Sequence, residues 1–381
     1  MDYLSEAKSL QPKLEKIRED LHRHPELGNQ EIWTSSYIEK LLLDLGFEVK
    51  RMLGTALVAT LHCGNGYKRV ALRADMDALP VTESTGCSFS SLNPGTMHAC
   101  GHDIHMTSAL GAAMLLSKNK DNLKGDVILL FQPDEEGCGG AARMIAEGAL
   151  DGVSAVFGGH VSPDIPVGTV GIKYGKFYAA SNVYKVIFKG RSCHGATPER
   201  GIDALLTAAE VATKIKTIHP SSGDKAVVST GIFNSGTASN IIPEIAVIEG
   251  VIRTLGPDDR NEMEGKFKAV IDEVCSKYGS SAEIDLRKSH GGVVNTDAET
   301  ALMERSAREV LGDKSVIVLD EPTMVTEDFG CFVDATSGCF CHIGAGCSQP
   351  LHSPLFLPEI EAAVTASAVY AKTLDNYLKE H

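Results

Sequence analysis

Five side chains that can bind metals or move protons crowd one short stretch of the sequence. The segment MHACGHDIH, residues 97–105, holds a thiol, three imidazoles and a carboxylate, namely Cys100, His98, His102, His105 and Asp103. Thiolate and imidazole are ligands of zinc and similar borderline cations. The segment therefore predicts either a metal site or an ordinary polar turn before a helix. Ligands from distant parts of the chain would decide between the two.

Three other segments offer such ligands, each next to an apolar run that reads as a strand. They are FQPDEEG, FGGHVSP and QPLHSPLF, with the candidates Asp134, Glu135, Glu136, His160 and His352. Open α/β sheets place their sites at the carboxyl ends of parallel strands, so these side chains can converge. Taken singly, each has a plainer interpretation as a solvated turn or a structural histidine. Together with Cys100 and His102 they exceed the four ligands of a closed zinc site, which indicates two metals or an open catalytic one.

The neighbouring glutamates suit one reaction in particular. One can bind metal, which lowers the pKa of bound water toward ~7, while the other takes the water's proton and passes it to a leaving nitrogen. That is the chemistry of amide hydrolysis. The competing motifs H-E-x-x-H, G-x-S-x-G, the P-loop and G-x-G-x-x-G are absent from the sequence.

The elements that would position these residues follow an alternating pattern. Apolar periodicity predicts helices over 4–21, 34–45 and 104–116, and strands over 55–61, 69–76, 126–132 and 154–161. Continuous apolar strands separated by helices predict an α/β fold with a mainly parallel sheet covered by helices. The same pattern resumes after residue 292, with a helix over 300–311, the CFCHIGAG strand and a closing helix over 358–378.

The pattern changes between these two parts. NVYKVIFKG alternates as a half-exposed strand does, and a helix (202–218), two strands (227–234 and 246–255), a helix (259–278) and the strand AEIDLRK follow. The order β-α-β-β-α-β predicts a small sandwich with helices on one face. We therefore expect a discontinuous metal-binding α/β domain over 1–179 and 293–381, interrupted by an α+β domain over 180–292.

Composition limits the classes of protein that the chain can belong to. At 381 residues it is too long for one compact core. The net charge of -14 argues against nucleic acid as a partner. No apolar run reaches the ~20 residues of a membrane span, and the charged N-terminus lacks the pattern of a signal peptide, which predicts a cytoplasmic protein with reduced cysteines.

These motifs together identify a family resemblance that runs nearly end to end. The chain resembles the M20 metallopeptidases, in particular the amidohydrolase branch with N-acyl-amino-acid amidohydrolases, hippurate hydrolases and auxin-conjugate hydrolases. The resemblance rests on LHRHPELG, ALRADMDALP, MHACGHDIH, FQPDEEG, GGHVSP, GRSCHGATPERGIDA, SNIIPE, VIRT, TEDFG and LHSPLF. It implies a zinc-exopeptidase-like α/β domain and an inserted lid or dimerisation domain.

The resemblance also implies a role for each candidate. The metal ligands would be Cys100, His102, Glu136, His160 and His352, with Glu135 as the catalytic base. They would hold two divalent cations per subunit, and a thiolate such as Cys100 could bridge them. Zinc is the first choice, and mixed sulfur, nitrogen and oxygen ligands also permit manganese, cobalt or nickel.

Supporting residues are expected around the ligands. Arg73 stands where other M20 branches carry a ligand, and Asp75 would orient a ligand imidazole or else cap the next turn. Asp103 would be either a similar support or the N-cap of the following helix. Glu327 in TEDFG would support the wall of the metal site.

In the inserted domain, the resemblance implies residues that meet the substrate. His194 would stabilise the developing oxyanion, from its own subunit or across a dimer, and would bind substrate with Asn240 and Arg253. Arg253 suits a carboxylate through its planar fork, although a salt bridge on the strand face is the alternative. At three positions, Glu199, Asp134 and Thr326, the sequence differs from the residues that are common in this branch. These differences concern the choice of substrate and leave the reaction intact.

The sequence thus predicts a metal-dependent amidohydrolase that cleaves N-acyl amino acids into a carboxylate and a free amino acid. The partner is this small substrate, with no membrane or nucleic acid, and the lid suggests a homodimer. A dipeptidase or aminopeptidase using the same site is the nearest alternative. A metal-dependent binding protein without turnover is the more distant one.

Overall fold

The chain folds into two compact units. The computed structural model describes residues 1–63, 68–137, 139–289 and 291–381. The first unit comprises Met1–Gly175, Val294–Glu321 and Asp328–His381, and the second comprises Lys176–Val293 and Pro322–Glu327. The short segment 322–327, which the sequence pattern leaves with the α/β part, groups with the second unit.

The bounds of the regular elements are as follows. The α-helices are α1 (Tyr3–Arg23), α2 (Ile32–Asp44), α3 (His102–Lys118), α4 (Gly140–Ala146), α5 (Ala204–Lys214), α6 (Pro257–Tyr278), α7 (Asp297–Leu311), α8 (Gly330–Ala335) and α9 (Ile360–Glu380). The strands are β1 (Glu48–Met52), β2 (Ala56–Leu61), β3 (Arg69–Asp75), β4 (Asp126–Gln132), β5 (Val153–Ser162), β6 (Val170–Ile172), β7 (Gly175–Tyr178), β8 (Ala180–Lys189), β9 (Cys193–His194), β10 (Ala226–Ser235), β11 (Ile241–Ile242), β12 (Ile245–Thr254), β13 (Ser281–Lys288), β14 (Val293–Asn295), β15 (Val316–Val318) and β16 (Ser337–Gly344).

The first unit is built on a mixed sheet with a parallel centre. Its strand order is β1-β2-β4-β3-β5-β16-β6-β15. The four central strands β4, β3, β5 and β16 run parallel, whereas β1 and β2 join as antiparallel neighbours on one side and β6 pairs antiparallel with β16 on the other. This confirms the predicted α/β class with a mainly parallel sheet.

Helices cover the central strands of this sheet. Every residue of β4 is buried, so both faces of the strand are packed. The core joins apolar residues of β3 and β4 to α1, α3 and α9, including Leu72, Leu129, Leu14, Leu110 and Leu374. No helix in the described part of the chain is both long enough and apolar enough to cross a membrane.

The second unit has its own sheet and core. Strands β10, β12, β8 and β13 form an antiparallel sheet in that order. Tyr184, Val186 and Phe188 of β8 alternate inward and pack with Phe267 of α6 and Val211 of α5. The Asp203 carboxylate caps α5 by accepting from the Leu206 N–H at 3.0 Å. The order β8-α5-β10-β12-α6-β13 agrees with the predicted β-α-β-β-α-β sandwich.

Candidate active site

Four adjacent parallel strands bring the loops of the candidate site to one edge of the sheet. Asp77 follows β3, Glu135 and Glu136 follow β4, and His352 lies in the loop after β16. His160 lies inside β5 and not in the loop after it, in register with His342 of β16. Because these strands are parallel neighbours, their carboxyl ends meet at the same edge.

The five side chains expected to bind metal come together at this edge. The Sγ of Cys100 lies 3.3 Å from the Nε2 of His160, and the Nε2 of His352 lies 3.2 Å from the Oε1 of Glu136. Ligand atoms lie within 4.8 Å of one another in three overlapping groups, which are Cys100–His102–His160, Cys100–Glu136–His352 and His102–Glu135–Glu136. Residues up to 252 positions apart in the chain (100 to 352) thus share one cluster.

Two of these imidazoles are oriented by backbone carbonyls. The Nδ1 of His102 donates to the carbonyl of Asp77 at 2.8 Å, and the Nδ1 of His160 donates to the carbonyl of Val161 at 2.7 Å. In the neutral ring, each bond places the proton on Nδ1 and leaves the lone pair on Nε2. The Nε2 of His102 is buried and has no hydrogen-bond partner among the described residues. A cation is the partner that such an atom, beside a thiol and two carboxylates, would suit.

Electrostatics also favour a cation at this cluster. Burial and the negative charges of Glu136 and Glu135 raise the pKa of the Cys100 thiol well above its usual value. Burial by itself lowers the pKa of His102, but the charges of Asp75 and Asp77 outweigh it and raise that pKa to about 10. The negative charges of the carboxylates therefore favour positive charge at the cluster, either as protons or as metal ions.

Unusual backbone conformations hold the loops in place. Gly101 has φ +86°, and a Cβ there would lie 2.5 Å from the Cγ2 of Val161, so only glycine fits before α3. His352 has φ 65° although it is not glycine, which costs roughly 1–2 kcal/mol. Its N–H donates to the carbonyl of Ala99 at 2.9 Å, which ties the late loop to the Cys100 turn.

The departure at Asp134 has a structural explanation. Its φ is 57°, and its carboxylate accepts from the Nδ2 of Asn29 at 2.6 Å and lies 3.4 Å from the guanidinium of Arg143. Its N–H donates to Glu31 at 3.1 Å. Asp134 thus shapes the turn that carries the two glutamates.

Asp75 and Asp77 bond to different histidines near the candidate ligands. Asp75 accepts from His105 at 2.6 Å and from Arg73 at 2.8 Å, and its carboxylate stays 3.6 Å from the Nε2 of His102. Asp77 is the residue that orients a candidate ligand, because its carbonyl holds His102 and its carboxylate accepts from the Glu136 N–H at 3.1 Å. Two aspartates separated by one residue are hard to distinguish from sequence.

Asp103 has a different role from either of the two expected. Helix α3 begins at His102 with Gly101 as its N-cap and no side-chain cap hydrogen bond, so the N-cap interpretation is wrong. The Asp103 carboxylate instead accepts from the Nε of Arg18 and the Nδ1 of His22, both at 2.9 Å. It therefore anchors α3 to α1.

The ion pair of His22 makes stability depend on pH. Burial by itself lowers the pKa of His22, but Asp103 and Glu83 outweigh it and raise that pKa to about 9, above the ordinary value of 6.5. The pair therefore stabilises the fold fully below pH about 6.5, and this contribution is lost as the pH rises through about 9. The stability difference between the wild type and His22→Gln should shrink by about 3 kcal/mol across this window. Urea denaturation at a series of pH values measures it, and a difference independent of pH would contradict the prediction.

A buried polar network behind the cluster has no clear signal in the sequence. The Asp328 carboxylate accepts from the Nη2 of Arg73 at 3.1 Å, from the Nε2 of Gln132 at 2.8 Å and from the Ala141 N–H at 3.1 Å. Arg73 also donates to Gln132 at 2.8 Å. Asp328 is thus the acceptor that joins Arg73, Gln132 and the start of α4. Glu327 is buried and belongs to the second unit, and its support of the metal site stays a prediction.

Among the substrate-binding candidates of the second unit, His194 and Asn240 are neighbours, whereas Arg253 bonds to a different segment. Strands β9 and β11 pair His194 with Ile241, and the carbonyl of Asn240 accepts from the Gly195 N–H at 2.8 Å. The Nδ1 of His194 accepts from the Ala196 N–H at 3.0 Å, so its proton resides on Nε2. Arg253 donates to the carbonyl of Met324 at 2.6 Å, and no salt bridge to it is found among the described residues.

Comparisons with known proteins agree with this geometry. The model of peptidase family M20/M25/M40 matches residues 71–376. The N-acetyl-L-cysteine deacetylase of Bacillus subtilis is 36% identical over 94% of this chain and 86% of its own length, and the hippurate hydrolase of Campylobacter jejuni is 34% identical over 100% of both chains. The crystal structure of a dinuclear metal binding peptidase from the M20 family of Bacillus subtilis matches with a TM-score of 0.89 and 32% identity, over 98% of this chain and 99% of that one.

The fold and the site define a metal-dependent hydrolase with its site at the carboxyl edge of a parallel sheet. The chain belongs to peptidase family M20/M25/M40.

Proposed function

We propose that the chain is an amidohydrolase that cleaves N-acyl amino acids into a carboxylate and a free amino acid. The observation that carries this proposal is the convergence of Cys100, His102, Glu136, His160 and His352 around Glu135 at one sheet edge. The substrates named for two relatives, N-acetyl-L-cysteine and hippurate, are both N-acyl amino acids.

The site would hold two divalent cations. Two groups of candidate ligands share Cys100, one with His102 and His160 and the other with Glu136 and His352, and these five residues would hold the two ions. When bound, the cations would supply Lewis-acid activation of water and of the scissile carbonyl. Zinc suits this mixture of sulfur, nitrogen and oxygen best, and manganese, cobalt or nickel are the alternatives.

The residues of the chain would supply the proton transfer. Glu135 lies beside His102 and Glu136 at the buried cluster. It would take the proton of the attacking water and deliver it to the leaving nitrogen, so that no acylated side chain is needed. Burial of the cluster strengthens each of these electrostatic interactions.

The second unit would contribute the groups that meet the substrate. The Nε2–H of His194 suits donation to the carbonyl oxygen as negative charge develops there. Asn240, adjacent to it across the β9–β11 pair, would bind the substrate as well. Arg253 would bind the carboxylate of the amino acid through its planar fork. In this proposal the second unit acts as a lid.

The remaining proposals concern assembly and compartment. We propose a homodimer that forms through the second unit, where edge strand β10 exposes Ile232 and Phe233. We also propose a cytoplasmic enzyme. No disulfide joins the cysteines within the described ranges, as a reducing compartment favours.

A substrate panel tests the reaction. Protein reconstituted with zinc, manganese or cobalt should release free amine from N-acetyl and N-benzoyl amino acids. It should prefer these over dipeptides with a free α-amine by about 100-fold in kcat/KM. Chelated protein is the control, and restoring the metal should restore the rate.

The same panel decides the alternative. A peptidase is the second candidate, because the M20 structure from Bacillus subtilis is described as a peptidase. Hydrolysis of dipeptides together with rejection of acylated amino acids would favour the peptidase and contradict the amidohydrolase. Metal-loaded protein that is inert toward the whole panel would contradict both.

A further inference from the structure

His105 is the one imidazole of the MHACGHDIH segment that contacts the rings of two candidate ligands. Its ring centroid lies 5.3 Å from that of His102 in a stacked arrangement and 4.5 Å from that of His160 in a T-shaped one. His105 is buried on α3. The proposed reaction assigns no role to His105.

The hydrogen bonds of His105 fix its protonation. Its Nε2 accepts from the backbone N–H of Val161 at 3.0 Å, so this nitrogen carries a lone pair and no proton. Its Nδ1 lies 2.6 Å from the Oδ1 of Asp75, an acceptor, so the proton must reside on Nδ1. Both nitrogens are therefore engaged by the protein, and His105 is not itself a cation ligand.

Asp75 is held in turn by the guanidinium of Arg73. Its Oδ2 accepts from the Nη1 of Arg73 at 2.8 Å, and Arg73 is held by Gln132 and Asp328. All four side chains are buried. The carboxylate that fixes His105 is thus itself fixed, and a satisfied buried network of this kind is rigid.

On its other side, His105 is linked through Val161 to the candidate ligand His160. Val161 donates to His105 through its N–H, and its carbonyl accepts from the Nδ1 of His160. The position of Val161 therefore sets both the tautomer of His160 and the direction of its Nε2, which lies 3.3 Å from Cys100. His105 bonds to both the Asp75 carboxylate and the Val161 backbone.

We propose that His105 is a positioning residue for the cation site, which aligns His160 through Val161 and packs against the rings of both His102 and His160. The inference rests on the proposed function, because it takes His102 and His160 as ligands. In this proposal, Arg73, Asp75 and Asp328 hold His105 in the tautomer that has its proton on Nδ1. Residues that orient ligands in this way typically change metal affinity by about 10–100-fold when removed.

The test uses Co²⁺ as the probe and needs no substrate. His105→Phe keeps a ring but removes both hydrogen bonds, so Co²⁺ affinity should fall by about 10–100-fold, and the thiolate-to-cobalt absorption of Cys100 should change in position or intensity. His105→Gln offers an amide N–H to Asp75 and an amide oxygen to Val161. It should recover part of the affinity and spectrum that His105→Phe loses.

Thr107→Ala is the matched control. Thr107 is buried on the same helix and donates only to the carbonyl of Asp103, at 2.6 Å. It should leave Co²⁺ affinity unchanged. Thermal unfolding of the metal-free proteins reports whether each variant folds. If His105→Phe does not, His105→Asn, which is too short to span both partners, replaces it and should lose affinity to the same extent.

Two results would overturn the inference. One is wild-type Co²⁺ affinity and spectrum in a folded His105→Phe or His105→Asn protein, and the other is an equal loss in Thr107→Ala. Failure of the proposed function is distinct. A wild type that binds Co²⁺ but hydrolyses no acyl amino acid would contradict the amidohydrolase and leave the role of His105 intact.

Discussion

Replacing Glu135 by glutamine should lower the turnover of an acyl amino acid by at least ~100-fold while the cations stay bound, because the amide cannot accept and pass on a proton. The glutamine is nearly isosteric, so the buried turn that Asp134 shapes should persist. Steady-state rates together with metal analysis of the same samples measure the two effects separately.

The neighbouring residue provides the matched control. Glu136→Gln changes the same functional group one position along, but it removes a candidate ligand that lies 3.2 Å from His352. It should therefore lose cation affinity as well as turnover. Near-normal turnover in Glu135→Gln would remove Glu135 from the role of base, and equal loss of metal in both variants would make Glu135 a ligand instead.

The second large effect concerns stability. Arg73 is the buried cation between the carboxylates of Asp75 and Asp328, which are 0% and 1% exposed. Arg73→Met keeps most of the side-chain volume but leaves two buried negative charges without it. We expect the free energy of unfolding of the metal-free protein to fall by about 3–5 kcal/mol at neutral pH. Urea denaturation measures the change.

A surface arginine serves as the comparison for this variant. Arg51 also pairs with a carboxylate, that of Glu39, but its side chain is 34% exposed. Arg51→Met should cost only about 0–1 kcal/mol, since water solvates the remaining charge. Arg73→Lys should fall between the two, because an ammonium keeps the charge without the planar fork that reaches both carboxylates. An Arg73→Met protein as stable as Arg51→Met would contradict a central role for this network.

Most of the fold could be predicted because its main elements have strong periodicity. The pattern located β3, β4 and β5 to within about a residue or two, since buried parallel strands are continuous apolar runs. Strand β1 was missed because EVKRM is charged and mostly exposed at the sheet edge. Strands β6 and β15 have three residues each, too few for any period to be recognised.

The candidate site could also be predicted only in part. Cysteine, histidine and paired glutamates stand out by type and by position at strand ends, so sequence reasoning could propose the residues that the fold brings together. The supports could not be assigned in the same way. Whether Asp75 or Asp77 orients His102, and that Asp103 bonds Arg18 and His22, depends on contacts between residues far apart in the chain.

The sequence by itself determined which chemical groups this protein can bring to a reaction and which strands carry them, because side-chain type and apolar periodicity are local properties. Only the tertiary structure decided which polar partner each buried group has. The Arg73–Asp328 bond, for example, joins residues 255 positions apart. Buried hydrogen bonds are selected by direction and short distance after the elements have packed, and no local pattern encodes that geometry.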